Sequence, residues 1–264
     1  MLLGKAFASL REENDGVTVA FADGSRLRAS FVVAADGIHS PVRAQLFPGV
    51  RLVGSGHVVW RGMAELELAP AFKQTITEVW AAGLRFGFSE VADGLVDWFA
   101  VLPARSADWN FESTLALQQR LQQVFQPFAY PVPAILAATK AGRIIRSEVA
   151  DFDPLPEWSR GRVCLIGDAA HAATPYLGQG GCQAVEDAYA LAQCLHRAAT
   201  PEQAFAAFQQ LRRPKAAHIV RMSRLMGRVG YLSGPVGLAR NLVLRAAPPQ
   251  LFEGQFRRVY SLNF

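Results

Sequence analysis

The sequence predicts a mixed α/β (α+β) chain, on three observations. Two strand–acidic turn–helix units stand about 130 residues apart, at 31–49 and 162–188. Short alternating segments with glycine turns fill the stretch between them, the pattern of an antiparallel sheet. Beyond residue 198 the apolar spacing turns helical. The expected organisation is an α/β layer begun by residues 1–55, an inserted sheet over 56–140, a return to the layer over 141–198, and a helical region over 199–264.

Taken in order, Lys5–Arg11 reads as a strand. Val17–Phe21 alternates, Asp23-Gly24 is a hairpin signal, and Arg26–Ala35 continues as strand. That strand stops at Asp36-Gly37, after which Ser40 suits an N-cap with Pro41 at the first helical position. Val58–Gly62, Thr75–Trp80, Leu84–Phe88 and Leu95–Val101 are short strands, with turns at Ala82-Gly83 and Asp93-Gly94. Glu112–Phe125 has helical spacing at Leu115, Leu121, Val124 and Phe125, and Pro127, Pro131 and Pro133 break it. Gly142–Val149 leads back to the layer as a strand. Arg162–Ile166 is an apolar strand ending at Gly167-Asp168, followed by a Pro- and Gly-rich loop and a helix that opens near Gly181. On that helix Ala184, Ala188, Leu191 and Leu195 share one face expected to pack on the sheet, and Glu186 and Asp187 complement the dipole in its first turns. Pro201–Arg213 and Lys215–Gly230 read as two further helices. The tail, Leu232–Phe264, is apolar with interspersed arginines. It suits either a membrane surface or packing back on the domain, and the latter is the expectation.

At 264 residues, with 51 % apolar composition, the chain can bury a substantial core. The net charge of +5 reads as a solvated basic surface, since no basic–aromatic module for nucleic acid is present. Cys164, Cys182 and Cys194 form no C-x-x-C pair and are odd in number, which fits a reduced, cytoplasmic setting. No His/Cys spacing suggests a metal, no stretch reads as a signal peptide, and no apolar run is long enough for stable membrane insertion.

The chemistry concentrates in RVCLIGDAAHAATPYLGQGGCQAVEDA. A carboxylate at the C-terminal end of a strand accepts hydrogen bonds from sugar-like hydroxyls. A glycine-lined helix N-terminus offers N–H groups and a positive dipole end to an anion. Hydroxyls and a diphosphate on one ligand suggest a dinucleotide. The run resembles the second flavin-contacting motif of the class A flavoprotein monooxygenases, the aromatic-hydroxylase family, near its urate-hydroxylase, salicylate-hydroxylase and zeaxanthin-epoxidase branches. The resemblance implies that Asp168 contacts the ribityl chain of FAD. It implies that Pro175, Leu177 and Gly178 lie beside the isoalloxazine, and that Gly180 and Gly181 face the ring and pyrophosphate. The earlier run VVAADGIHSPVRAQLFPG resembles the family's D-G motif, tied to flavin and reduced nicotinamide, with Asp36, Gly37 and Arg43 at the matching positions. Arg43 reads equally well as a solvated helix charge.

The family's fold is thus implied: a partial FAD-binding Rossmann-like domain with an inserted antiparallel-sheet substrate domain. The family's opening G-x-G-x-x-G, which holds the ADP half of FAD, is missing here. The chain is expected to be N-terminally truncated by about a hundred residues and to bind FAD weakly or not at all. The activity implied is NADH- or NADPH-driven hydroxylation of a small aromatic or heteroaromatic substrate with O2 by way of a flavin C4a-hydroperoxide. Alternatives are a flavoprotein epoxidase or reductase acting on an isoprenoid, or an inactive remnant.

Candidate catalytic residues are Arg61, Pro175 and Tyr176. Arg61, and less so Arg85, has aromatic neighbours on a strand, where a guanidinium can hold a carboxylate or enolate-like oxygen. Tyr176 adjoins the flavin-facing loop. Phe86, Phe88, Trp98 and Phe99 suit an aromatic wall or, for most of them, the core. His171 is expected to hold the loop rather than act as a base.

Overall fold

The computed structural model describes residues 1–81, 83–104, 111, 113–248, 254 and 259–261. Ala82 of the expected Ala82-Gly83 turn, Glu112 at the expected helix start, and most of the tail beyond residue 248 lie outside the described residues. In chain order the elements are β1 (Phe7–Glu13), β2 (Gly16–Phe21), β3 (Arg26–Ala29), β4 (Val32–Ala34), α1 (Pro41–Leu46), β5 (Val53–Glu65), β6 (Ile76–Ala81), β7 (Leu84–Ala92), β8 (Leu95–Pro103), α2 (Thr114–Phe125), α3 (Val132–Ala138), β9 (Ile145–Asp151), β10 (Ser159–Arg160), β11 (Val163–Leu165), α4 (Asp168–His171), α5 (Gly180–Arg197), α6 (Pro201–Gly230) and α7 (Gly234–Ala246). By internal contacts the chain falls into two units, one holding Met1–Val53, Ala150–Met226 and Pro248–Phe264, the other Gly54–Val149 and Gly227–Ala247.

In the first unit β1, β2 and β3 form an antiparallel meander. Gly24, at φ +83°, makes the β2–β3 turn, and the Asp23 carboxylate accepts from Ser25 N at 2.9 Å. The single strand expected over Arg26–Ala35 is two. The chain leaves the meander at Ser30-Phe31, and β4 joins another sheet, ordered β10-β11-β4. There β4 and β11 run parallel, in register Val32↔Val163, Val33↔Cys164 and Ala34↔Leu165. Val163, Cys164 and Leu165 are fully buried, as expected of a parallel strand covered on both faces. Burial pushes the Cys164 thiol pKa far up, so it is an inert apolar group.

Two helices differ from expectation. The buried face of α5 keeps only part of the alanine–leucine stripe: Leu191 is buried and Leu195 packs on the core, but Ala188 is exposed, and Gln183, Glu186, Asp187 and Ala190 point inward. The inward carboxylates are ion-paired to α6, which makes their burial tolerable. The two helices expected over Pro201–Arg213 and Lys215–Gly230 are one, α6, with Pro214 inside it. Packing of Ala204, Phe205 and Phe208 before the proline and Ala216, Ile219 and Val220 after it holds both halves in line.

The second unit is built on a five-stranded sheet ordered β6-β7-β8-β5-β9, antiparallel from β6 through β5. One face carries Val58, Trp60, Phe86, Phe88, Trp98 and Leu102 into a core closed by α2 and α3. Trp98 donates its indole N–H to Thr139 at 2.8 Å, and only glycine at position 62 leaves room for that ring, since a Cβ there would stand 2.7 Å from it. In α2, Leu115 is exposed and Leu117 is buried in its place, beside Gln118. Ser113 caps the helix by accepting from Ala116 N. Pro131 and Pro133 do more than end α2. They open α3, where the missing N–H groups are not needed. Of the tail expected to pack back, α7 buries only Gly237, whereas beyond it Val259 is buried and the Ser261 carbonyl accepts from Lys215 at 2.7 Å. No helix among the described residues is long and apolar enough to cross a membrane.

Candidate flavin site

The site grows from the β4–β11 pair. Because these strands are adjacent and parallel, the turns that follow them emerge at the same sheet edge, and Asp36 and Asp168 come together there, both exposed. After β4 the chain reverses at Gly37, at φ +81°. Ser40 then caps α1 by accepting from Arg43 N at 2.8 Å, with Pro41 in the first turn. The Asp36 carboxylate accepts from Val42 N at 3.2 Å, so it too steadies the helix start.

After β11, Gly167 adopts φ +57° and Asp168 opens the one-turn helix α4 where the sequence suggested loop. A Cβ on Gly167 would approach Ala184 to 3.1 Å, so glycine also lets α5 lie close. Pro175–Leu177 forms a 3₁₀ turn ending at Gly178 in the left-handed region. Thr174 ties this turn to α6, sharing a 2.8 Å hydrogen bond with Ser223. Tyr176 lies on it, partly buried, as does Leu177. Helix α5 follows at Gly180 with no side-chain cap, so its first N–H groups keep their capacity to donate. A Cβ at Gly178 or Gly181 would meet nothing within 4 Å, and one at Gly180 would lie 3.8 Å from the Asp168 carboxylate. The donor set is therefore a carboxylate facing an uncapped helix N-terminus across an open, glycine-lined surface. It fits the hydroxyls and phosphate of a flavin nucleotide.

Arg43 is not the solvated helix charge that one sequence reading allowed. It is 6 % exposed, and its guanidinium donates to the carbonyls of Ala169 (3.0 Å), Asp168 (3.4 Å) and Ile38, with its face 4.3 Å from the Phe152 ring. It clamps the two acidic turns to each other. Burial lowers its pKa, and the Asp36 charge partly offsets this.

Sequence reasoning missed what anchors α5. The Asp187 carboxylate, fully buried, accepts from Gly167 N (2.9 Å), His171 Nε2 (2.5 Å) and Arg212 Nε (2.9 Å). Burial acts to raise its pKa, but these donors outweigh it and hold the carboxyl below its ordinary range. Glu186 accepts from Arg212 and, at 2.8 Å, from Lys215. His171 also packs on Trp158 at 4.8 Å, in the loop-holding place expected of it. The available signal was two adjacent carboxylates where an apolar helix face should run.

Arg61 and Arg85 belong to the second unit. Arg61 is exposed on β5, across from Phe99 on β8, near Asp97. Burial pushes the Asp97 carboxyl up, with Arg61 opposing. Arg85 is buried, paired with Glu78 at 2.5 Å and stacked 4.9 Å from Trp80. Phe86, Phe88 and Trp98 are core, whereas Phe99 lies over Gly87 on the sheet face that carries Arg61.

These features define a flavin-nucleotide-binding type of domain. The chain belongs to the FAD binding domain family, which matches residues 3–223. It is 36 % identical over 230 residues to the aurachin C monooxygenase/isomerase of Stigmatella aurantiaca, covering 87 % of this chain and 59 % of that protein. It is 33 % identical over 251 residues to the 2-heptyl-3-hydroxy-4(1H)-quinolone synthase of Pseudomonas aeruginosa, covering 93 % and 64 %. The crystal structure of Klebsiella pneumoniae HpxO complexed with FAD and uric acid superposes with a TM-score of 0.88 at 28 % identity, over 97 % of this chain and 66 % of that one. The chain thus spans less than two thirds of the length of these curated relatives.

Proposed function

We propose that this chain carries the flavin-facing part of an FAD-dependent monooxygenase that hydroxylates a small aromatic or heteroaromatic substrate with O2, driven by NADH or NADPH. The observation that carries the reading is the junction of Asp36, Asp168 and the uncapped α5 terminus at one sheet edge. Relatives whose names specify a quinolone product and urate hydroxylation support the ring chemistry.

When bound, FAD supplies the redox and oxygen-activating chemistry. The chain's residues supply position. Asp168 accepts from ribityl hydroxyls. The Gly180 and Gly181 N–H groups donate toward the phosphate and ring side, and Gly178 leaves the backbone bare for close approach. Pro175 and Leu177 present the apolar edge of their turn to the flavin ring, and Tyr176 reaches substrate. Asp36 and Gly37 shape the opposite wall. Arg43 is a positioning residue that holds both turns, and Arg61 anchors an anionic oxygen of the substrate.

Titrating the chain with FAD and following flavin fluorescence tests the site. Weak but saturable quenching is expected, with Asp168→Ala weakening it by about tenfold, the loss of a charge-assisted hydrogen bond. Unchanged affinity in that variant would remove Asp168 from the site. Substrate-stimulated NADH or NADPH oxidation with a quinolone or a purine, read with mass spectrometry of a hydroxylated product, tests the reaction. Stimulation by an isoprenoid instead would move the assignment to epoxidation.

A further inference from the structure

Helix α7 is held by little. Gly237 is buried against the Leu232 carbonyl, which a Cβ would approach to 2.6 Å. Arg240 donates to the carbonyls of Val229 and Gly230, at 2.8 Å each, and lies over Trp80. At helical periodicity the side opposite these two positions carries Leu238, Ala239 and Leu242, and Val236 and Val243 border it next to Arg240. These face water: Leu238 and Leu242 are 72 % exposed, Val243 66 % and Val236 60 %. Two leucines on the bare side, bordered by two exposed valines, form an apolar strip of the kind that marks an interaction surface.

Charge says which surface. No Asp or Glu occurs between Glu202 and Glu253, a stretch that holds eight Lys and Arg and so more than accounts for the +5 of the whole chain. Arg212, Lys215 and Arg224 are matched by carboxylates. Arg228, shortly before α7, and Arg245, beside its apolar strip, stand exposed in the same unit. An apolar strip with Arg245 beside it, in a segment without carboxylates, complements a layer of acyl chains beneath anionic headgroups, whereas a self-complementary dimer seam would bring like charges together. At 13 residues, about 20 Å long, α7 suits lying in that interface rather than crossing it.

We propose that α7 is a membrane-surface helix that seats this protein on anionic lipid bilayers. Leu238, Leu242, Val236 and Val243 insert at the acyl boundary, and Arg228 and Arg245 meet headgroup phosphates. The inference stands apart from the flavin reading.

Co-sedimentation of the full chain with phosphatidylcholine vesicles, with and without phosphatidylglycerol, tests it. Binding to the anionic vesicles is expected, reduced at high salt, with little binding to the neutral ones. L238E/L242E should reduce partitioning about tenfold or more, and R228Q/R245Q should remove most of the preference for phosphatidylglycerol. All four side chains are exposed, and circular dichroism and the thermal midpoint of each variant establish that the fold is kept. Absence of binding to anionic vesicles overturns the proposal, as does binding that survives L238E/L242E. So does self-association in sedimentation equilibrium that L238E/L242E abolishes without any vesicle binding, which would assign the strip to a second copy.

Discussion

Asp187 shows how much one buried carboxylate can organise. It joins the end of β11 through Gly167, α4 through His171 and α6 through Arg212, so three elements near the Asp168 turn depend on its charge. Asp187→Asn leaves Arg212 buried with half its pairing, and a loss of about 3–5 kcal/mol in unfolding free energy is expected from chemical denaturation. The pH dependence follows from the lowered carboxyl pKa. Its stabilisation is fully present above the ordinary carboxylate value and is lost as pH falls through the lower folded value. The stability gap between wild type and Asp187→Asn should therefore be constant near neutrality and close in acid. A gap that persists at low pH would assign the loss to geometry rather than charge. Asp36 and Asp168 were legible in the sequence because each ends a strand in a recognisable turn. Asp187 was not, since a carboxylate near a helix start reads first as a dipole partner, and Arg212 lies 25 positions away. Arg43 was visible as a position, but its task was hidden because it grips backbone carbonyls, which leave no sequence trace.

At the scale of elements, strand and helix identities followed from period and turn chemistry, and the errors lie at junctions. The division between β3 and β4 carries no glycine or proline, so the run Arg26–Ala35 looks continuous, and only pairing with β11 reveals the change of sheet. Pro214 misled in the opposite sense. A proline normally ends a helix, but packing on both sides carries α6 through it. That packing opposes a local penalty, so Pro214→Ala should restore a helical hydrogen bond at an exposed position and stabilise the protein by about 1–3 kcal/mol. A raised thermal midpoint checks this. A fall would show that Pro214 itself is needed to keep Arg212 and Lys215 on Glu186.

At the scale of the whole molecule, the described residues contain two separate apolar cores. One is centred on Trp158, Phe205 and Phe208, the other on Phe86, Trp98 and Phe125. Two cores predict two cooperative transitions. Phe205→Ala should lower one calorimetric midpoint and Phe125→Ala the other, each by removing about 3–5 kcal/mol from its own core. Equal shifts of a single transition in both variants would mean the units melt as one. The pairing of β4 with β11 also has a temporal consequence. The first strand of the pair leaves the ribosome about 130 residues ahead of its neighbour, a delay of roughly 6–26 seconds at ordinary elongation rates. During that interval the whole of the second unit's sheet is synthesised. The acidic turns cannot be juxtaposed until translation has passed Asp168, so nascent chains arrested before that residue should capture no flavin nucleotide.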